Sequence, residues 1–367
     1  MWVASHASPT ANAVTLTFPM TLPTTMRAIQ LAAVGQPLID AELPVPEPGP
    51  GEALLRIRAA GICHSDAHYR SGGVSAGPLP LTLGHEMAGE VAALGPGEQS
   101  LELGDRVALH YLLTCGSCRD CSNGQEQLCH QARMIGKHLH GGFADYIAVP
   151  ARNCVPLPAG LPWEQGAVLM CACATALHAL RRARLQPGET VAIFGLGGLG
   201  LAAVQLAATC NPSKVFAVDL QPEKLALAAR YGALPVDAGK SDVPAELRRL
   251  TAGRGVDVAL EFIGHQDTIL QALHALAPGG RAAIAGISSQ PVPVDTYRDL
   301  IGREALLIGV SDHTLAELAD LLEIVAEGSL DPGVLVTARV PLEATAINRT
   351  LDELDRGRAG VRTVIVN

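Results

Sequence analysis

The sequence contains few charged residues, and they do not cluster. Charged residues make up 17% of its 367 positions, below the roughly 25% that is usual for folded domains. The 36 acidic and 27 basic side chains give a formal charge of −9, and no stretch concentrates lysine and arginine. This balance argues against nucleic acid and against an anionic membrane surface as partners. We expect a small-molecule partner instead.

Targeting and membrane signals are also lacking. Residues 1–25 carry no Lys, Arg, Asp or Glu and no continuous apolar run, so they do not form a secretory signal, and we interpret them as a flexible extension. The stretch between Glu189 and Lys214 is uncharged and reaches the ~20 residues that span a bilayer. Its glycines and its Asn-Pro pair, however, divide it into strand, turn, helix and strand. We therefore predict no membrane span.

The nine cysteines are an odd number, so they cannot all form intrachain disulfides. Four of them follow C-x2-C-x2-C-x7-C on a turn-rich stretch, namely Cys115, Cys118, Cys121 and Cys129. Four thiolates close the shell of a tetrahedral zinc ion, which makes the site structural. An iron–sulfur cluster is the competing interpretation, but the bacterial ferredoxin run has x3 before its last Cys and a Pro after it. We predict structural zinc in a lobe over residues 110–130.

The chain divides into regions that differ in the order and spacing of their predicted strands and helices. Residues 26–161 contain short β-type runs between Gly/Pro-rich turns, which is typical of a barrel-like β unit. Residues 162–301 alternate strands with longer helical segments, which favours a parallel sheet with helices on both faces. Residues 302–367 contain an apolar run, a helix over 313–327 and two strand-like pieces. The predicted class is therefore α/β with two domains.

The run VAIFGLGGLG predicts a dinucleotide site. Gly195, Gly197 and Gly200 stand at G-x-G-x-x-G spacing after a strand and at the start of a helix. In that position the glycines allow a tight turn, close approach to a pyrophosphate and close packing of helix on strand. Asp219 ends the next strand, where its carboxylate can bind ribose hydroxyls and repel a 2′-phosphate, so we predict NAD rather than NADP. The remaining predicted contacts of this segment are Gly198, Leu199 and Lys224.

A second metal site is predicted from GICHSDAH and LGHEMAGE. Cys63, His85 and Glu86 supply a thiolate, an imidazole and a carboxylate outside the four-cysteine lobe. Such a set suits a catalytic zinc ion that keeps one position open. Spacing alone does not choose the further soft ligand among four cysteines, which are Cys154, Cys171, Cys173 and Cys210.

With these motifs in this order, and with the GDRV turn at 104–107, the GVDVALEFIG strand and the closing RTVIVN, the chain from Met26 onward resembles the zinc-dependent medium-chain alcohol dehydrogenases. The resemblance implies a GroES-like catalytic domain with an inserted Rossmann-type, doubly wound parallel sheet. It also implies two zinc ions per chain, NAD as cofactor, a cytoplasmic location, and a homo-oligomer that is a dimer or a tetramer.

The resemblance assigns the catalytic metal ligands residue by residue. Cys63, His85 and Cys171 match the three zinc ligands, Cys171 because it precedes Thr175 in the family's C-x3-T pattern. Glu86 matches the glutamate near the metal that can exchange with bound water. Thr175 is similar to the residue that packs against the nicotinamide.

Further roles are implied for the residues around this site. Asp66 resembles the carboxylate that orients the histidine ligand, and Ser65 and His68 match the proton relay. His64 stands where some members have Arg near the cofactor phosphates, and Arg362 matches a second Arg that approaches them.

The expected reaction is reversible hydride transfer between a primary or secondary alcohol and NAD, with an aldehyde or ketone as product. A polyol, amino-alcohol or formaldehyde-type dehydrogenase is the alternative on the same scaffold. Cys63, His85 and Cys171 disfavour a zinc-free quinone or enone reductase, and they also disfavour a non-catalytic protein. Candidate walls of the substrate pocket are Tyr69, Tyr111 and Leu112.

Overall fold

The structure is a computed structural model, which describes residues 22–288 and 290–367. Of the predicted extension over 1–25, residues 1–21 lie outside the described part, and the first strand begins at Thr25. In the part of the chain that the structure describes, no helix has the length and apolar character needed to cross a membrane.

The strands are numbered in chain order. They are β1 (Thr25–Leu31), β2 (Ile39–Pro44), β3 (Glu52–Ile62), β4 (Leu81–Thr82), β5 (Glu86–Leu94), β6 (Arg106–Leu109), β7 (Leu112–Leu113), β8 (Arg133–Met134), β9 (Tyr146–Pro150), β10 (Cys154–Pro156), β11 (Thr190–Phe194), β12 (Lys214–Asp219), β13 (Leu234–Asp237), β14 (Val256–Glu261), β15 (Leu276–Ile284), β16 (Leu306–Gly309), β17 (Val336–Val340) and β18 (Arg362–Val366).

The α-helices are numbered in the same way. They are α1 (His64–Ser71), α2 (Arg119–Ser122), α3 (Trp163–Val168), α4 (Ala174–Ala183), α5 (Gly198–Thr209), α6 (Pro222–Arg230), α7 (Val243–Leu250), α8 (Gln266–Ala275), α9 (Leu315–Ala326) and α10 (Ala344–Asp355). A π-helical turn, Leu169–Cys173, joins α3 to α4.

The catalytic domain is built on a mainly antiparallel seven-stranded sheet. Its strand order is β10-β6-β5-β3-β18-β17, and β9 pairs with the first half of β3. A three-stranded sheet, β2-β1-β4, and the β7-β8 pair complete it. Burial of alternating apolar side chains holds these sheets around a common core that includes Leu55, Ile57 and Val107. This is the predicted β-rich unit, with β3 at its centre.

The nucleotide domain is a six-stranded parallel sheet with the order β13-β12-β11-β14-β15-β16. The uncharged stretch between Glu189 and Lys214 folds as predicted into β11, α5 and β12. Helix α5 packs between the sheet and α4, which explains why nearly every side of it is apolar. The strand order reverses between β11 and β14, and in such sheets ligands bind at the carboxyl ends beside that reversal.

The domain boundaries differ from the predicted ones at both ends of the nucleotide domain. Helix α3, which the predicted boundary at 161/162 assigns to the nucleotide domain, packs on β3 and β5 of the catalytic domain. Strand β16, which the boundary at 301/302 assigns to the catalytic domain, pairs in parallel with β15. An apolar strand does not reveal which sheet it joins, because both sheets bury such strands. The nucleotide domain therefore excludes α3 and includes β16, so its limits are not residues 162 and 301.

Candidate active site and metal sites

The catalytic donor set begins at the turn from β3 into α1. Cys63 caps α1, and its backbone N–H donates to Asp66 Oδ2 at 2.9 Å. The other Asp66 oxygen accepts from the Gly84 N–H at 3.2 Å and lies 3.6 Å from His85 Nδ1. Asp66 is fully buried. One carboxylate thus joins the Cys63 turn to the segment that carries His85.

Four donors from three separate segments converge. The ligand atoms of Cys63, His85, Glu86 and Cys171 all lie within 4.8 Å of one another, and all four residues are buried. Both Glu86 oxygens lack a hydrogen-bond partner among the described residues. Buried polar groups are rarely left in this state without an ion or water. Two thiols, an imidazole and a carboxylate are ligands that zinc prefers, so the residues fit the predicted metal.

The backbone and the charged groups around the four donors favour metal binding. Gly61 of β3 leaves room for Glu86, because a Cβ at position 61 would lie 2.1 Å from Glu86 Oε2. Burial raises the pKa of Glu86 to about 7. A hydrogen bond from the Cys171 thiol lowers the pKa of Cys63 well below its ordinary value, and Arg362 acts in the same direction. A lowered thiol pKa favours the thiolate that binds metal.

Cys171 reaches this set because it lies in the π-helical turn between α3 and α4. Single π-turns are frequent at functional sites, where they re-aim a side chain. Among the described residues, Cys154, Cys173 and Cys210 belong to neither group of potential metal ligands. Thr175 is buried on the first turn of α4, directly after the π-helical turn. The structure therefore selects Cys171 where the spacing does not.

The four cysteines of the lobe also come together. Their sulfur atoms lie within 4.8 Å of one another, with 3.9 Å between those of Cys115 and Cys121 and 3.6 Å between those of Cys115 and Cys129. Tetrahedral zinc with Zn–S bonds of 2.3 Å places its sulfurs about 3.8 Å apart. Backbone N–H groups of Ser117 and Cys118 lower the pKa of Cys115 to about 6. A single tetrahedral ion fits this site, whereas cluster ligands that bind different irons stand farther apart.

The nucleotide cleft is a cavity of about 540 Å³ beside the catalytic donors, and both Cys63 and Arg362 line it. Each of the three glycines in the G-x-G-x-x-G run is required for a different structural reason. Gly195 has φ 86°, a Cβ on Gly200 would lie 1.8 Å from the Gly195 carbonyl oxygen, and Gly197 faces open space. The open position lies at the N-terminus of α5, where backbone N–H groups favour a phosphate. Leu199 and Gly198 line the same cavity.

Asp219 lies at the end of β12 and lines the cleft. Its Oδ2 accepts from the Leu196 N–H at 2.7 Å and its Oδ1 from the Gln221 N–H at 2.9 Å. Two backbone donors therefore hold the carboxylate at the cavity wall. Lys224 lines the cavity as well, and burial lowers its pKa.

Arg362 connects the cleft to the metal donors. Its Nη1 donates to the Ile62 carbonyl at 3.1 Å, and its Nη2 lies 3.4 Å from Glu86 Oε1. A Cβ on Gly198 would lie 2.6 Å from Arg362 Nη2. The guanidinium is therefore packed between the fingerprint turn and Glu86.

The predicted relay residues flank Cys63. The Ser65 hydroxyl oxygen lies 3.7 Å from Cys63 Sγ. The His68 ring stacks on His64 at 4.8 Å between centroids, and burial lowers the pKa of His68. Within 22–288 and 290–367, no hydrogen bond joins Ser65 to His68. His64 lines the cleft, and its Nε2 lies 3.7 Å from Asp355 Oδ1.

Tyr111, a predicted wall of the substrate pocket, lies beside His85, and it brings three residues there that no sequence motif marks, namely His110, Asp312 and His313. The Tyr111 ring meets the His85 ring edge-on at 5.1 Å, and His313 and His110 pack on the other sides of Tyr111. The Tyr111 hydroxyl donates to Asp312 Oδ1 at 3.0 Å. No motif marks Asp312 or His313, because they meet Tyr111 only through the fold.

The other two candidate pocket walls are also buried. Tyr69 donates a weak hydrogen bond to Met134 Sδ at 3.7 Å. Leu112 packs in the core of the catalytic domain.

Comparison with known proteins agrees with this geometry. Residues 49–159 match the family model of the alcohol dehydrogenase GroES-like domain, and residues 198–327 match the model of zinc-binding dehydrogenases. An NAD-dependent alcohol dehydrogenase of Sulfolobus acidocaldarius is 33% identical over 347 residues, which cover 93% of this chain and 99% of that protein. Sorbitol dehydrogenase of Bacillus subtilis is 33% identical over 341 residues, which cover 90% and 95%.

Solved structures are similar too. A zinc-binding dehydrogenase of Sinorhizobium meliloti 1021, crystallised with NADP, superposes with a TM-score of 0.85 at 30% identity, covering 94% of this chain and all of that one. The fold, the two donor groups and these relatives agree, and the chain belongs to the zinc-dependent medium-chain dehydrogenase family.

Proposed function

We propose that this protein is an NAD-dependent zinc alcohol dehydrogenase, which interconverts primary or secondary alcohols with aldehydes or ketones. The observation that carries the proposal is the contact between the two sites. Cys63 belongs to the catalytic donor group and also lines the nucleotide cleft. A substrate at the metal centre is therefore next to the cofactor, as direct hydride transfer requires.

Cys63, His85 and Cys171 would hold the catalytic zinc, with Glu86 beside it. Zinc bound there supplies Lewis-acid chemistry that lowers the pKa of an alcohol hydroxyl from about 16 toward about 7. NAD in the cleft supplies the hydride acceptor. Asp66 holds the His85 imidazole in place through the buried contact at 3.6 Å, and this kind of support preserves ligand orientation.

The chain's own residues manage the proton. Ser65 stands at the metal centre and takes the proton from the alcohol hydroxyl. His68, which is half-buried on the next turn of α1, would receive the proton through a group that bridges it to Ser65 and would pass it toward solvent. Its lowered pKa keeps the imidazole neutral and ready to accept the proton at neutral pH.

NAD selectivity is assigned to Asp219. Its fixed carboxylate would repel the 2′-phosphate of NADP. We expect Asp219→Gly to lower the ratio of kcat/KM with NAD to kcat/KM with NADP by about tenfold or more. An unchanged ratio would contradict this role, and retained thermal stability is the control for folding.

The decisive experiment is a panel of primary, secondary, benzylic and polyhydric alcohols, assayed for NADH and NADPH formation. Turnover with NAD that is lost after zinc chelation and returns with zinc supports the proposal. No reduced cofactor across the panel, at full zinc content, contradicts it.

A polyol dehydrogenase on the same scaffold is the second candidate. The similarity to the Bacillus subtilis sorbitol dehydrogenase favours it. A kcat/KM for polyols that exceeds that for every monohydric alcohol of the panel would establish it over the first.

We also propose a cytoplasmic homo-oligomer, a dimer or a tetramer. None of the nine cysteines, all of which lie in the described part of the chain, forms a disulfide, which suits a reducing compartment. The 17% charged content suits a surface that is partly buried between subunits. Light scattering of the purified protein measures the oligomeric state.

A further inference from the structure

A short loop of the nucleotide domain reaches into the catalytic domain. It covers residues 311–315, from the connection after β16 to the first residue of α9, and we call it the bridging loop. Asp312 accepts from the Tyr111 hydroxyl at 3.0 Å, and the Leu315 N–H donates to Glu126 Oε1 of the cysteine lobe at 2.6 Å. The His313 side chain between these contacts is fully buried. Two hydrogen bonds therefore tie this loop to the catalytic domain.

Tyr111 lies against the catalytic metal donors. Its ring is edge-on to His85 at 79° and 5.1 Å, and only 1% of its surface is exposed. The nucleotide cleft is lined by Cys63 but not by Tyr111. Tyr111, a predicted wall of the substrate pocket, thus borders the donor group without lining the cofactor cleft.

The polar anchor of this ring lies in the other domain. Without Asp312 the Tyr111 hydroxyl would be buried without an acceptor, which costs free energy. Asp312 itself has φ 48°, a left-handed conformation that non-glycine residues seldom adopt. Such conformations persist where the surroundings hold them, and they concentrate at functional sites. This backbone observation is independent of the hydrogen bond and points to the same residue.

The neighbours of Tyr111 offer packing rather than a second anchor. The His313 ring meets Tyr111 at 90° and 5.2 Å, and His110 packs on His313 at 5.1 Å. Among the described residues, both His313 ring nitrogens and His110 Nε2 are buried without hydrogen-bond partners. The Tyr111 hydroxyl is therefore held by Asp312, while the two imidazoles pack around the ring.

We propose that Asp312 is a positioning residue for substrate: from the nucleotide domain, it fixes the Tyr111 ring as the wall beside the metal ligand His85. The Tyr111 ring limits the space for the substrate's carbon chain, so the relative position of the two domains determines which alcohols bind. This inference rests on the proposed function for its substrate and on the Tyr111–Asp312 contact for its geometry.

The test uses substitutions that separate the hydrogen bond from the backbone. Asp312→Gly tolerates the positive φ but removes the acceptor, whereas Asp312→Asn tolerates the positive φ and keeps an acceptor. Tyr111→Phe removes the donor. Tyr297→Phe, at a tyrosine that is 74% exposed on the same domain, is the matched control.

We expect Asp312→Gly and Tyr111→Phe each to change the KM for a branched alcohol by about tenfold, while the KM for NAD stays within about twofold. The double variant should match either single one, because both remove the same hydrogen bond. Asp312→Asn should restore most of the wild-type KM. Additive effects, or an Asp312→Asn enzyme as altered as Asp312→Gly, would overturn the inference.

A readout without turnover separates this inference from the proposed function. A wild-type enzyme that oxidises no alcohol contradicts the proposed function alone. The crystal structure of Asp312→Gly then decides the positioning role: a displaced Tyr111 ring supports it, and a ring that keeps its wild-type place beside His85 overturns it.

Discussion

The two metal sites of this chain are built in opposite ways. The lobe takes four thiols from one stretch of fifteen positions, Cys115–Cys129, and three of these residues are only partly buried. The catalytic group takes Cys63, His85, Glu86 and Cys171 from three distant segments, and all are buried. The first site forms within one short loop, whereas the second forms only when three distant segments fold together.

This difference separates stability from chemistry. A metal ion in the lobe would join residues at both ends of a partly exposed loop, so its binding energy supports local folding. The catalytic donors are already held by β3, β5 and the π-helical turn, and by Asp66 and Arg362. Loss of the catalytic ion should therefore leave the fold in place and remove the reaction, and loss of the lobe ion should do the reverse.

The largest effect should come from His85→Ala. We expect kcat/KM for alcohol oxidation to fall at least about a thousandfold, because the centre that lowers the hydroxyl pKa is lost. NADH binding, followed by fluorescence, should stay within about twofold of wild type, since His85 does not line the cleft. Near-normal turnover would remove His85 from the catalytic site.

Cys118→Ala should give the opposite phenotype. We expect metal analysis to show one zinc ion per chain in place of two, and the thermal unfolding midpoint to fall by about 5–10 °C. Activity measured well below that midpoint should fall far less than in His85→Ala. A Cys118→Ala enzyme that keeps both ions and its midpoint would break the comparison.

Asp66→Asn should have an intermediate effect. The amide oxygen can accept from only one of the two backbone N–H groups that donate to the carboxylate, and the side chain carries no charge to support His85. Such losses typically cost 10–100-fold in metal affinity or activity. Zinc chelation kinetics and kcat measure this. Asp145→Asn, at a surface carboxylate paired with Arg27, is the control and should leave both unchanged.

The smallest effect should be on the pH dependence of the free energy of unfolding. It should arise from two buried histidines, His110 and His313. Burial lowers the pKa of His110 to about 4 and that of His313 well below its ordinary value, whereas both titrate near about 6.5 when unfolded. Below that pH the unfolded chain binds protons that the folded chain does not. The free energy of unfolding should therefore fall as the pH drops from about 6.5 toward 4, by up to about 1.4 kcal/mol per pH unit for each histidine.

Urea unfolding at about pH 7 and about pH 5 measures this slope. His110→Phe should flatten it, because it removes one of the two groups. His130→Phe, at an exposed histidine of the lobe, should not. Equal slopes in all three proteins would contradict the assignment to buried histidines.

The same contrast explains what could be predicted from sequence. The cysteine spacing and the G-x-G-x-x-G run are local patterns, and each is compatible with one geometry. In the structure the four cysteine sulfurs lie close together, and the glycine run forms the turn from β11 into α5. Cys171 required the family resemblance, because nothing in its spacing distinguishes it from Cys173. The Tyr111–Asp312 contact joins residues 201 positions apart, and the sheet that β16 joins is likewise a tertiary choice. Neither leaves a local signal.

The position of β18 beside β3 has a consequence for how the chain folds. Arg362 and Ile62 meet across 300 positions, and the whole nucleotide domain lies between them. Closing so long a loop is entropically costly, and distant strand pairing of this kind is slow. A nucleotide domain that folds first brings its own ends together and shortens the effective loop. The inserted domain thus serves as a scaffold on which the catalytic sheet is completed.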